Sequence, residues 1–163
     1  MPTDKRVTYY EQVLTRPDVD APSCKVLINL ALAYDAVQTV MNRALGRHGI
    51  SVAAYNVLRI LQRSGQEGCP LHEIGELLVT SRANVTGLVD SLEAKGLVRR
   101  VPDPSDRRSR RAFLTDEGEK LLQVAHPEHA ATMCDLVSGL SDVDKQHLAE
   151  LLVKLRTLVG SSF

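Results

Sequence analysis

Residues 81–115 read SRANVTGLVDSLEAKGLVRRVPDPSDRRSRRAFLT, and the order of elements in this stretch decides the fold. In its first half Val85, Leu88, Val89 and Leu92 recur at the i, i+3, i+4, i+7 spacing of a helix with one buried face. Ser81 stands where an N-cap belongs, its hydroxyl able to accept a backbone N–H of the first turn. Lys95-Gly96 closes the element, a cation near the negative helix end followed by a residue tolerant of the left-handed conformation. With the stripe turned inward, Ala83, Gly87, Asp90 and Ala94 face outward, flanked by Asn84 and Thr86. Small residues near the N-terminus let another surface approach. Arg82, Asn84 and Thr86 suit base edges: Arg for guanine, Asn for adenine, the Thr methyl for thymine. Taken alone, an ordinary solvent-facing helix would carry the same face.

The second half adds the discriminating signal. Leu97 to Val101 reads as a short strand, stopped by the turn formers Pro102-Asp103-Pro104-Ser105, and Arg110 to Leu114 as its return. Such a hairpin carries Arg107, Arg108, Arg110 and Arg111 near its tip. Between Arg82 and Arg111 eight Lys/Arg stand against four Asp/Glu, a surplus of four positive charges in a chain that is neutral as a whole. Positive charge is thus concentrated beside the candidate reading helix, the footprint of a polyanionic partner.

A helix followed by an arginine-tipped hairpin resembles a winged helix-turn-helix. The segments Ser81 to Thr86, Leu92 to Arg100 and Asp106-Arg107-Arg108, followed by Leu114-Thr115 and Gly118, resemble the MarR family of transcription regulators. The Asp-x-Arg of the wing followed by Leu-Thr and a helix is the most specific part, and the resemblance extends from about Cys24 to Val159. Gly75 stands where the family usually has Ala. The expected fold is mainly α with a small β-wing. Residues 1–22 form an N-terminal arm, 23–48 a dimerisation helix, 51–115 the winged helix-turn-helix domain and 116–163 C-terminal dimerisation helices.

The rest of the chain fits this outline. Its 163 residues suit one domain with oligomerisation elements. No apolar run is expected to reach the length of a membrane span, and the opening residues do not resemble a signal peptide, so a cytoplasmic protein is expected. Three cysteines, Cys24, Cys69 and Cys134, are expected as reduced thiols. In the arm, Arg6 to Leu14 suits a short helix, broken by Pro17 and Pro22; a flexible arm and one packed on a second subunit are both open. Ser23 to Leu45 predicts a long helix capped by Ser23. Its face of Val26, Leu27, Leu30, Tyr34, Val37, Val40 and Met41 is wider than one neighbouring helix can cover. Ser51 caps a helix from Val52 to Gln62, Pro70 opens a short helix, and Val79-Thr80 turns into Ser81. Asp116 with Glu119 resembles a capping box opening a helix to Ser138, which Pro127 is expected to kink or divide. Ser141 with Asp144 caps a last helix striped with Leu148, Leu151, Leu152, Leu155, Leu158 and Val159.

The resemblance implies a two-fold dimer with reading helices in successive major grooves, hence a pseudo-palindromic operator in double-stranded DNA with half-sites about ten base pairs apart. It implies that Ser81, Arg82, Asn84, Val85 and Thr86 meet the major groove and that Arg108 enters the minor groove. Asp106 is expected to brace the wing by pairing with Arg99, Arg100 or a neighbouring arginine. Arg107, Arg110 and Arg111 are either phosphate contacts or solvated charge. Relatives bind small aromatic or phenolic anions between the dimer helices and the reading domain, and Tyr34, Arg43, His48 and Tyr55 lie on elements able to line such a pocket. His126, His129 and Cys134 lack ligand spacing, so neither metal nor cofactor is expected. Cys24 sits near the helix end that carries the reactive thiol in peroxide-sensing relatives, but its surroundings, Pro22-Ser23-Cys24-Lys25, depart from theirs.

The leading expectation is a dimeric, sequence-specific repressor released by a small ligand. A Cys24-based oxidant sensor and an effector-independent architectural DNA binder are the alternatives. No nucleophile–base pair, paired carboxylate or phosphate loop points to an enzyme.

Overall fold

The computed structural model describes residues 5–13, 20–78, 83–103 and 110–160. Seven helices and three strands are described: α1 (Lys5–Val13), α2 (Ala21–Gly46), α3 (Val52–Ser64), β1 (Cys69–Pro70), α4 (Leu71–Leu77), α5 (Ala83–Ala94), β2 (Val98–Pro102), β3 (Arg110–Leu114), α6 (Asp116–Leu136) and α7 (Asp142–Gly160). The protein is mainly helical with a small antiparallel sheet of strand order β1-β3-β2. The chain divides into two compact units, Met1–Val40 and Met41–Phe163, with the boundary inside α2. The expected turn at Val79-Thr80 and the expected Ser81 cap lie outside the described residues.

In the first unit α1 covers residues 5–13, as the arm sequence suggests, and Arg6 Nη1 donates to Asp35 Oδ2 at 2.5 Å. The long helix starts earlier than predicted, at Ala21 rather than after Ser23. Cys24 N–H bonds to the Asp20 carbonyl, so Pro22 falls within the first turn. There its missing N–H has no intrahelical partner to lose and its fixed φ suits the helix. Val26, Leu27, Leu30 and Tyr34 are exposed along this helix. With Lys25, Asp35 and Arg43 as its only charged residues, α2 is long and apolar enough to cross a membrane by length and composition. This corrects the expectation that no run reaches that length. The cause is the series of Ala residues between the Leu and Val positions.

The second unit is built on α3. Ser51 Oγ accepts from Ala54 N–H at 3.1 Å, the predicted cap. Val57, Leu58 and Leu61 are fully buried and pack with Ile74, Val89, Leu92, Val98, Ala112 and Leu122 into one core. The first and second helices of the helix-turn-helix (α4 and α5), the sheet and the start of α6 therefore share a single hydrophobic centre.

The sheet meets α6 at Thr115. Its hydroxyl caps the helix by accepting from Gly118 N–H at 3.1 Å and donates to the Gly96 carbonyl at 2.7 Å. The cap is thus Thr115 rather than the predicted Asp116, because the Thr hydroxyl satisfies two partners at once. Glu119, freed from a capping role, accepts from Gln62 Nε2 on α3 at 2.8 Å. A Cβ on Gly118 would collide with the Leu97 carbonyl and the Leu114 side chain, so the helix approaches the sheet only without one. Further along, α6 runs through Pro127 without dividing. Ser141 and Asp144 form the predicted reciprocal cap of α7: Ser141 Oγ accepts from Asp144 N–H at 3.2 Å, and Asp144 Oδ2 accepts from Ser141 N–H at 3.3 Å. No residue of α7 is buried.

Candidate nucleic-acid interface

The candidate reading helix α5 has the two faces its spacing predicts. Val85, Val89 and Leu92 are buried, while Thr86, Gly87, Asp90 and Ala94 are exposed. Its C-terminus is fixed by a Schellman motif: Gly96, at φ 72°, donates to the Glu93 carbonyl at 2.9 Å, and Leu97 N–H donates to the Leu92 carbonyl at 3.0 Å. Lys95 Nζ reaches the Gly49 carbonyl at 2.5 Å, tying this end to the start of the domain. Val85 departs from its expected role in the groove. It is only 3% exposed and packs in the core, so it holds the helix in place and offers nothing to DNA. Asn84 lies in the first turn of α5, whereas Ser81 and Arg82 lie outside the described residues.

The wing is tied to this helix by one arginine. Arg100 donates from Nε to Glu93 Oε2 at 2.8 Å and from its backbone N–H to Glu93 Oε1 at 2.9 Å, while Nη1 lies 2.5 Å from Asp90 Oδ1. These bonds hold the Glu93 carboxyl below the usual carboxylate range, the Arg100 side-chain hydrogen bond contributing most. The register pairs Arg99 with Phe113 and Val101 with Arg111. Across that pairing the Arg99 guanidinium rests on the Phe113 ring, 4.3 Å from its centroid.

A further carboxylate ties the wing: Asp103, 3% exposed, accepts from Arg111 Nε at 3.1 Å. Arg111 Nη1 also donates to the Glu67 carbonyl at 2.9 Å. Arg111 is therefore an internal tie rather than a phosphate contact or a loose charge, and Arg99 lies over an aromatic ring. Arg110 is exposed at the start of β3. Asp106, Arg107 and Arg108 lie outside the described residues.

A second feature lies on the same unit. A cavity of about 460 Å³ opens between α3, α4 and α6, walled by Tyr55, Arg59, Arg63, Leu77, His126 and His129 among others. Tyr55 shares a 2.7 Å hydrogen bond between its hydroxyl and His126 Nδ1, and His129 stacks on its ring at 4.3 Å. Burial pushes the Tyr55 phenol up and the His129 imidazole down; the charges of His126 and Arg59 depress His129 further. Arg59 is oriented by its bond to Gln62 Oε1 at 2.6 Å.

Of the four expected ligand residues only Tyr55 lines this cavity. Tyr34 belongs to the first unit and is exposed, Arg43 is exposed on α2, and His48 bonds through Nε2 to Glu128 Oε2 at 2.8 Å. Arg59, Arg63, His126 and His129 were not expected in a ligand wall. Arg59 and Arg63 stand four apart on one helix, a signal present in the sequence, whereas nothing there joins Tyr55 to histidines 71 and 74 positions later. The two histidines attend Tyr55, Cys134 is exposed on α6, and no metal-binding group of three His, Cys, Asp or Glu occurs among the described residues.

Comparison with known proteins gives a consistent result. A MarR family model matches residues 48–109. The HTH-type transcriptional regulator MhqR of Bacillus subtilis (strain 168) is 33% identical over 133 residues, covering 82% of this chain and 90% of that protein. Among solved structures, Sco3205 of Streptomyces coelicolor, a MarR family transcriptional regulator in complex with DNA, superposes with a TM-score of 0.77 at 26% identity, covering 86% of this chain and 90% of that one. CouR of Rhodococcus jostii RHA1, bound to p-coumaroyl-CoA, superposes with a TM-score of 0.69 at 28% identity, covering 86% and 95%.

Proposed function

The chain belongs to the MarR family of winged-helix, DNA-binding transcription regulators, and on that basis we propose that it is a cytoplasmic homodimeric repressor released from its operator by a small organic anion. The observation that carries this reading is the coupling of α5 to the wing. A helix with a buried inner face and an exposed outer face is clamped to an arginine-bearing hairpin through Arg100, Glu93 and Asp90. A rigid helix and ribbon, spaced by an ion pair, can address a major groove and the adjacent minor groove together.

In this account Ser81, Arg82, Asn84 and Thr86 meet base edges and the backbone in the major groove. Arg108 enters the minor groove, while Arg107 and Arg110 contact phosphates. The second copy of the chain covers the apolar faces that α2 and α7 leave exposed. Two-fold symmetry then places the reading helices one DNA turn apart.

The effector occupies the cavity between α3, α4 and α6, where Arg59 and Arg63 supply positive charge and Ile60, Leu77 and Met133 an apolar wall. CouR, which binds an aromatic thioester of coenzyme A, supports an aromatic or phenolic ligand class. Because α3 belongs to the reading domain and α6 leads away from it, a ligand wedged between them favours dimers whose helix spacing no longer fits the grooves.

The test is affinity for a DNA site selected from a random pool, against unselected DNA at physiological salt. A specific regulator prefers its site by at least roughly a thousandfold. Equal affinity for both would replace this reading with the architectural one.

A further inference from the structure

The cavity contains an arrangement that charge attraction alone does not require. Tyr55 is held between two imidazoles: His129 stacks on its ring with planes 22° apart, and His126 shares the hydrogen bond to its hydroxyl. Both imidazoles come from one turn of α6. Among the described residues, α3 contributes Tyr55, Arg59 and Arg63, α6 contributes His126 and His129, and the end of α4 with its C-cap contributes Leu77 and Leu78. Glu128, the carboxylate of that same turn, is engaged elsewhere, accepting from Arg47 Nη1 at 2.6 Å and bonding His48 Nε2 at 2.8 Å. No acidic side chain stands among the described residues lining the cavity.

We propose that this is a proton-coupled anion site, in which a carboxylate seated against Arg59 and Arg63 draws one proton from solvent onto the His129 imidazole. The inference rests on the effector-pocket reading above. Without an anion, the His129 imidazole is held toward its neutral form first by burial and then by the positive field around it, that of Arg59 included. A bound carboxylate cancels part of that repulsion and shifts the ring toward its protonated form. The stacked geometry suits this change, because a protonated His129 over the Tyr55 face gains a cation–π contact that the neutral ring lacks.

The direction of the pH effect follows from linkage. Binding raises a depressed histidine pKa, so protons are taken up between the free and the bound values. Affinity rises as pH falls through that window and levels off on either side of it. One proton corresponds at most to a tenfold change in affinity per pH unit.

The experiment is isothermal titration of the full-length protein with 4-hydroxybenzoate near pH 7, in buffers of different ionisation enthalpy. Two variants, His129→Gln and Arg59→Met/Arg63→Met, are titrated beside the wild type. The expected result is uptake of a measurable fraction of a proton by the wild type, binding without uptake by His129→Gln, and at least tenfold weaker binding by the double variant. A ring-proton NMR titration of His129 with and without the probe, expected to move its midpoint to higher pH, tests the same point without substitution. Wild-type binding with no proton uptake, or uptake unchanged in His129→Gln, overturns the coupling and leaves the pocket in place. Absence of wild-type binding, or binding unchanged in the double variant, overturns the pocket reading itself.

Discussion

The core around α3 and the C-terminal helix α7 carry similar patterns and meet opposite fates. Leu58 and Leu61 on α3 are completely buried by neighbours from the same chain. On α7 five leucines follow the same helical periodicity, yet Leu151 is 52% exposed and Leu158 is 58% exposed. Periodicity therefore fixes which face of a helix is apolar and leaves open whose surface covers it. In the proposed dimer this leucine stripe is covered by the second copy of the chain. The reading domain, by contrast, is complete in itself.

The contrast is open to direct attack. Leu151→Asp with Leu158→Asp is expected to give the largest change: across a two-fold contact four leucines are removed, each contributing about 1.5–3 kcal/mol when fully buried. Sedimentation should show monomer at concentrations where the wild type is dimeric, with helix content retained. A wild-type sedimentation profile for this variant would place the partner of α7 elsewhere. Leu58→Ala is expected to act oppositely, lowering unfolding free energy by about 2–5 kcal/mol through the cavity it leaves, as read by chemical denaturation.

Smaller effects belong to the junctions. Gly118→Ala forces a Cβ against the Leu97 carbonyl and should cost about 1–3 kcal/mol of unfolding free energy while loosening the wing, which a fall in DNA affinity would register. Weakest is the latch between α6 and the end of α2. The His48 hydrogen bond, followed by that from Arg47, holds the Glu128 carboxyl below its ordinary value of 4.5. A depressed carboxyl stabilises the fold above the unfolded-state value, and that contribution disappears as pH falls through the folded-state value. Wild type and Glu128→Gln should therefore differ in melting temperature near neutrality and converge on acidification. A constant difference across that range would show that the latch contributes nothing through charge.

How far the sequence carries depends on how local the interaction is. The α5 stripe, the Ser51 cap, the Ser141–Asp144 cap and the return strand from Arg110 to Leu114 are set by residues within a few positions of each other, and they form as their spacing implies. Thr115 and Asp116 are both competent caps, and the Gly96 carbonyl, 19 residues away, favours the first. The wing arginines sit together in sequence, but strand alternation sends Arg99 to Phe113, Arg100 to α5 and Arg111 to Asp103, three destinations that composition does not separate. Val85 satisfied both the core pattern and the groove motif on paper; only burial decides between them. The cavity is the least legible feature, since its wall joins Tyr55 to histidines more than seventy residues away and only Tyr55 announces itself in the sequence.

The central claim, that two copies of α5 read adjacent major grooves from a two-fold dimer, is tested most directly by hydroxyl-radical footprinting on a selected DNA site. The account predicts two equivalent protected patches on one face of the duplex, about one helical turn apart, related by a pseudo-dyad in the sequence. A single asymmetric patch would contradict it.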